Sequence, residues 1–235
     1  MLPVAVLRFS PTEGPGHFAD WMNAHDVPWR LIALDAGDAV PADPAGYSGI
    51  GMMGGPMSVN DALPWIAPVG SLLRAAVAND VPVIGHCLGG QLLAQALGAR
   101  VVRAQQPEIG WVDVAVDHSE VAADWFGDRS RLPVFQWHYD AFDLPQGATR
   151  VLTNAFNPNQ AYVLGDRHIG FQCHIEMTRD LVETWLRADP DELPATSTPA
   201  CQSAADIRRD LDARVAALNR IAGAVYARWT QKLHR

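Results

Sequence analysis

A cysteine stands at the centre of a glycine-flanked run, Gly85-His86-Cys87-Leu88-Gly89-Gly90-Gln91. A short apolar stretch at 81–84 precedes it, and Leu92, Leu93, Ala96 and Leu97 continue beyond it at helical spacing. A nucleophile at such a strand-to-helix turn sits in a strained backbone conformation, for which glycines two positions to either side leave room. The helix that follows directs its N-terminal N–H groups and the positive end of its dipole at the sulfur, which favours thiolate. The plainer reading of the same run is a buried cysteine beside a tight turn. A second run, Phe171-Gln172-Cys173-His174-Ile175-Glu176, ends an expected strand at 169–173. Side chains alternate along a strand, so His174 and Glu176 share one face and Cys173 the other. A carboxylate in that place can fix the histidine tautomer and stabilise the imidazolium, as the third member of a catalytic triad does. The alternative is a structural histidine with a surface glutamate. A zinc site built from Cys173, His174 and Glu176 is disfavoured, because consecutive strand residues point apart and no paired ligand motif occurs elsewhere.

A third run, Gly54-Gly55-Pro56, follows an expected strand at 49–53. Two glycines at the end of a strand let a backbone N–H face a substrate oxygen. Gly55 and Leu88, the residue after the cysteine, would then form an oxyanion hole. Taken alone, Gly-Gly-Pro is a turn.

These runs need a scaffold that brings three strand ends together. Apolar runs at 4–9, 30–34, 49–53 and 81–84 read as strands, with helical patterns at 18–23 and 69–77 between them. Alternation of this kind predicts an α/β fold, a mostly parallel central sheet flanked by helices. The second half carries strands at shorter intervals, at 100–103, 111–116, 134–137, 161–164 and 169–173, as hairpin additions to the sheet would. A helix is expected over 178–188 and a loop or hinge over 189–202. Beyond it, Ile207, Leu211, Val215, Leu218, Ala222, Val225 and Trp229 predict one long amphipathic helix. Its seam is read as docking on the same domain's core, with a homodimer or partner contact as the alternative. The expected organisation is one domain over 1–190, with the loop and helix of 191–235 packed on it.

Bulk properties narrow the function classes. The chain has 235 residues, 49% hydrophobic and 19% charged, with a net charge of −8. That balance gives no basic footprint for nucleic acid or an anionic membrane. No apolar run approaches the ~18 residues of a spanning helix, and the N-terminus reads as a core strand and not as a signal peptide. Three cysteines, an odd number, argue against a disulfide scaffold and for a reducing, cytoplasmic setting.

In combination and in this order, Gly54-Gly55-Pro56, the Cys87 elbow and His174-x-Glu176 resemble the class I glutamine amidotransferases. Met57-Ser58-Val59-Asn60-Asp61, Glu108-Ile109-Gly110-Trp111 and Gln136-Trp137-His138-Tyr139-Asp140 carry the likeness further, towards stand-alone, GMP-synthase-like members. It covers about residues 1–190. Two positions depart from the family pattern: Cys173 stands where Phe is usual and Ile175 where Pro is usual.

The resemblance implies a flavodoxin-like architecture and no cofactor or metal. It implies that Cys87 attacks the γ-carboxamide of glutamine, that His174 moves the protons and that Glu176 orients His174. It assigns the oxyanion to Gly55 and Leu88, and substrate contacts to Gln91, to Glu108, Gly110 and Trp111, and to His138. His138 and Asp140 fit the pocket rim and a structural role equally. The implied substrate is glutamine or another γ-glutamyl compound, with a synthetase partner in trans as recipient of the ammonia. A thiol esterase of the α/β-hydrolase kind fits less well, since its acid precedes the histidine by a long stretch. A non-catalytic, regulatory amidotransferase-like domain is the reading outside enzymology.

Overall fold

The computed structural model describes residues 1–234. Nine strands form one sheet in the order β2-β1-β3-β4-β9-β8-β7-β5-β6. Its first half comprises β1 (Val4–Arg8), β2 (Trp29–Ala33), β3 (Gly49–Met52), β4 (Val83–His86) and β9 (His168–Phe171), paired in parallel. Strands β1, β3, β4 and β9 are buried along almost their whole length, as strands with helices over both faces are, whereas β2 is buried only at Ile32 and Ala33. Helices α1 (Gly16–Ala24) and α2 (Ile66–Ala78) make the β1–β2 and β3–β4 crossovers, and α3 (Leu88–Ala96) follows β4. The α2 stripe predicted from spacing is the buried face, formed by Val69, Leu72, Leu73 and Ala76.

The second half of the sheet is antiparallel: β5 (Val101–Val116), β6 (Arg131–Phe142), β7 (Thr149–Thr153) and β8 (Ala161–Leu164). The two strands expected at 100–103 and 111–116 are one strand. The polar Gln105-Gln106-Pro107 stretch lies between them, and a register shift between Arg103 and Glu108 absorbs it within the β5–β6 pairing. Two elements carried no sequence signal: β7, and the short helix α4 (Glu120–Phe126), whose N-terminus is capped by Ser119 Oγ accepting from Ala122 N at 3.1 Å. Helix α5 (Arg179–Ala188) starts where expected, capped by Thr178.

The long C-terminal helix is broken. A short α6 (Ala204–Arg208) ends before Arg209, and α7 (Leu211–Thr230) begins after Asp210, whose φ of +55° is incompatible with a continuous helix. The apolar rhythm runs through the break because Ile207 and Leu211 both pack into the same core. Leu218, Ala222, Val225, Tyr226 and Trp229 are all buried against this chain's own sheet and α1. The homodimer or partner contact weighed for this seam is therefore left without an apolar face there. Among the described residues, no helix is long and apolar enough to cross a membrane.

Candidate active site

The parallel strands end on one edge of the sheet, and the three glycine- and histidine-bearing runs converge there. Cys87 lies between β4 and α3 with φ +48° and ψ −107°, a conformation costly for a residue with a Cβ. The neighbouring glycines are required by space. A methyl group on Gly85 would fall 2.4 Å from the Gly89 carbonyl carbon, and one on Gly90 would fall 2.3 Å from the Phe171 oxygen. Strand, elbow and helix are thus pressed together until only hydrogen fits between them.

His174 and Glu176 follow β9, but not as strand residues. The strand stops at Phe171, and His174 is held by an isolated bridge to Phe135, its N–H donating to the Phe135 oxygen at 2.8 Å. The expected partnership holds nonetheless: His174 Nδ1 lies 2.6 Å from Glu176 Oε1, and both residues are 2% exposed. Burial opposes charge on both groups, yet the pairing outweighs it. Glu176, with Cys87 on the other side, holds the His174 imidazole well above its ordinary range, and His174 draws the Glu176 carboxyl below its own. Trp185 from α5 packs edge-on against His174 with centroids 4.7 Å apart, and its indole N–H donates to the Thr12 oxygen at 2.9 Å. Cys173 is fully buried, and burial pushes its thiol well above the ordinary range.

A cavity open at its mouth is lined by Cys87, His174, Gly55 and Gln91 together with His138 and Asp140. Gly55 packs against the Leu88 side chain, since a Cβ on Gly55 would come 2.7 Å from Leu88 Cδ2. Among the described residues, neither of their N–H groups is engaged in a hydrogen bond. The Gln91 amide nitrogen is held by the Asp140 oxygen at 3.0 Å and by Gln172 Oε1 at 3.3 Å.

Three residues expected at the substrate do not line this cavity: Glu108, Gly110 and Trp111. Glu108 is completely buried behind it, accepting from Asn154 Nδ2 (2.5 Å) and Gln160 Nε2 (2.8 Å) and facing His138 Nε2 (3.2 Å). Its effect on the cavity passes through His138, which also bonds the Asp140 oxygen through Nδ1 at 3.0 Å. The Gly110-Trp111 backbone instead secures the segment after α5. Gln202 accepts from Trp111 N–H at 2.9 Å and donates to the Trp111 oxygen at 3.1 Å, while Ile109 N–H donates to Ala200. Gly110 has φ +100°, and its open side is filled by Gln202.

Other residues of the site carried no assigned role. Gln172 donates to Cys87 Sγ at 3.7 Å; its place two residues before His174 was the available signal. Trp137 stands within the Gln136–Asp140 run and Trp185 on α5, whereas Glu13, Asp189 and Glu192 had no signal, because they arrive from the β1–α1 loop and from the segment read as a hinge. Glu192 accepts from the Trp137 indole at 2.6 Å. Glu13 is half-buried, with its carboxyl end against Gly54 and His174: a Cβ on Gly54 would sit 2.7 Å from Glu13 Oε2 and 2.8 Å from His174 Cε1. Burial pushes the Glu13 carboxyl up to about 8, against the pull of His174. Among the described residues, no cluster of His, Cys, Asp and Glu is arranged to hold a metal ion.

Comparison with known proteins fits this geometry. The model of the family described as glutamine amidotransferase class-I matches residues 26–185. The chain is 30% identical over 189 residues to a glutamine amidotransferase-like protein, YfeJ, of Salmonella typhimurium, covering 77% of this chain and 78% of that one. It is 32% identical over 154 residues to one of the subunits of a glutamine-hydrolyzing GMP synthase from Sulfurisphaera tokodaii, covering 63% of this chain and 79% of the relative. Of a full-length GMP synthase from Aeropyrum pernix the match covers only 29%. The crystal structure of a glutamine amidotransferase from Methylobacillus flagellatus superposes with a TM-score of 0.97 at 48% identity, covering 100% of this chain and 96% of that one.

Proposed function

Since the chain belongs to the class I glutamine amidotransferase family, we propose that it hydrolyses a γ-glutamyl amide through Cys87, His174 and Glu176 by way of a thioester. The observation that carries this reading is the strained Cys87 elbow opening into one cavity with the buried His174–Glu176 pair. Cys87 Sγ attacks the γ-carbonyl carbon, and the oxygen takes the negative charge between the N–H groups of Gly55 and Leu88. Such donors act because they are already oriented when the charge develops. His174 gives a proton to the leaving nitrogen as the C–N bond breaks, which releases ammonia or an amine and leaves the γ-glutamyl thioester. Water then attacks the thioester carbon and His174 takes its proton. The C–S bond breaks, releasing glutamate and the Cys87 thiolate. Glu176 keeps the His174 ring in place throughout. Gln91 and His138 bind the substrate from the cavity wall.

Two substrates fit this chemistry. One is free glutamine, with the ammonia passed to a synthetase bound in trans, a reading supported by the likeness to one chain of a GMP synthase. The other is a γ-glutamyl conjugate hydrolysed by the chain alone. Ammonia and amine release from glutamine, γ-glutamyl peptides and simple esters separates them. The same panel, run after treatment with a glutamine-like chloroketone, tests the nucleophile. Modification should fall on Cys87 and abolish turnover; modification of Cys173 or Cys201 in its place refutes the assignment. Brisk ester hydrolysis with no amide turnover would favour a thiol esterase.

A further inference from the structure

Beneath the His174–Glu176 pair lies a second imidazole that the proposed reaction does not use. His86, the residue before the elbow cysteine, is fully buried between the rings of Phe18 and Phe171. Its Nδ1 is 3.1 Å from the Met52 carbonyl oxygen, an acceptor, so Nδ1 carries the proton and donates. In the neutral ring Nε2 is then a lone pair. Two groups face that nitrogen. Tyr226 of α7 places its hydroxyl at 3.4 Å, where it can only donate, and Glu176 Oε2 lies at 4.0 Å. That Glu176 oxygen is buried and has no hydrogen-bond partner, while Oε1 of the same carboxylate is taken by His174.

We propose that Tyr226 is a positioning residue of the active site: its hydroxyl, donated to His86 Nε2, keeps that imidazole neutral and so reserves the charge of Glu176 for His174. A second proton on His86 would sit on Nε2, pointing at the unpartnered Glu176 oxygen. The carboxylate would then be shared between two imidazoles, and its hold on His174 would weaken. The tyrosine hydroxyl occupies the lone pair that such a proton needs. The remaining groups around His86 work in known directions. Burial and nearby His174 disfavour its protonation, Glu176 and the hydrogen bond to Met52 favour it, and Phe18 and Phe171 carry no charge. Tyr226 stays a phenol, since burial holds it well above its ordinary range. On this account α7, which lies beyond the residues matched by the family model, completes the active site as well as the core.

The inference rests on the triad reading, so its test has one arm that does not depend on turnover. In the full chain, Tyr226→Phe keeps the ring packed at a tilt against Phe18 and removes only the hydroxyl. Its kcat for γ-glutamyl amide hydrolysis should fall about tenfold relative to the native chain as pH drops from 8 to 6, with KM unchanged. Adding His86→Gln, which cannot take the proton, should remove that acid limb. Superimposable pH profiles for native and Tyr226→Phe, or an acid limb that survives in the double variant, would overturn the proposal. The independent arm is imidazole nitrogen NMR of the native chain. His86 should remain the Nδ1–H tautomer from pH 8 to 6, and a protonated Nε2 at neutral pH overturns the proposal even if Tyr226→Phe fails to fold. A native chain with no turnover would refute the functional reading, leaving the NMR result to decide this one.

Discussion

Replacing Glu13 with glutamine should make the protein more stable, and increasingly so as the pH rises from about 4.5 to 8. The carboxyl's ordinary value of 4.5 is pushed to about 8 in the folded chain by burial, with Glu176 and Asp189 adding repulsion. Below about pH 4.5 both folded and unfolded chains hold the proton, and the native and Glu13→Gln proteins should be equally stable. Between 4.5 and 8 the unfolded chain gives up its proton while the folded chain retains it. Each pH step there favours unfolding, and the penalty is complete once the folded carboxyl ionises. At about 1.4 kcal/mol per pH unit the full penalty would be about 5 kcal/mol. Glu13 is only half-buried and lines an open cavity, so solvent screens much of this and a gain of ~2 kcal/mol is expected for Glu13→Gln at pH 8. For a chain of this size that is a rise in Tm of roughly 5 °C, readable by calorimetry in matched buffers from pH 4.5 to 9. A Tm difference that stays constant across that range would refute the argument, since Glu13 would then titrate as an exposed carboxylate does.

Other expectations follow from close contacts in the site. Gly54→Ala puts a methyl group 2.7 Å from Glu13 Oε2 and 2.8 Å from His174 Cε1, so His174 must shift; kcat should fall about 100-fold with little change in unfolding temperature. If activity survives, the wall at Gly54 is soft. Gln91→Ala should raise KM more than it lowers kcat, as expected for a group that binds parts of the substrate unchanged by the reaction. A kcat effect alone would remove Gln91 from the substrate contacts. Gly110→Ala combines a φ of +100° with a clash against Gln202, so it should destabilise the chain by about 2 kcal/mol or more. Because Asp189 and Glu192 line the cavity from the adjoining segment, hydrogen exchange should rise first over 189–202.

The parts of this protein written in its sequence are those governed by local rules. A buried parallel strand has to be a continuous apolar run, and a cysteine at φ +48° has to have glycines around it. The strands β1, β3 and β4 and the Cys87 elbow were therefore legible from residue types and spacing. His174 and Glu176 were legible as a pair because two residues of separation suffices for their bond, even though the strand that suggested it ends at Phe171. What distant segments bring together was not written in that form. The runs at 100–103 and 111–116 read as two strands until both pair with β6, and the rhythm from Ile207 to Trp229 reads as one helix because both pieces face one core. Glu108 and Trp111 looked like substrate contacts, but the strand pairing turns them towards His138 and towards the segment at 200–202. Glu13, Asp189 and Glu192 reach the cavity only by chain return, and Tyr226 meets His86 across 140 residues. Spacing carries information over a turn or a strand, whereas the environment of a buried charge depends on whatever the whole chain packs against it. The placement of Cys87 and His174 thus follows from local rules, and the electrostatics around them from the tertiary structure.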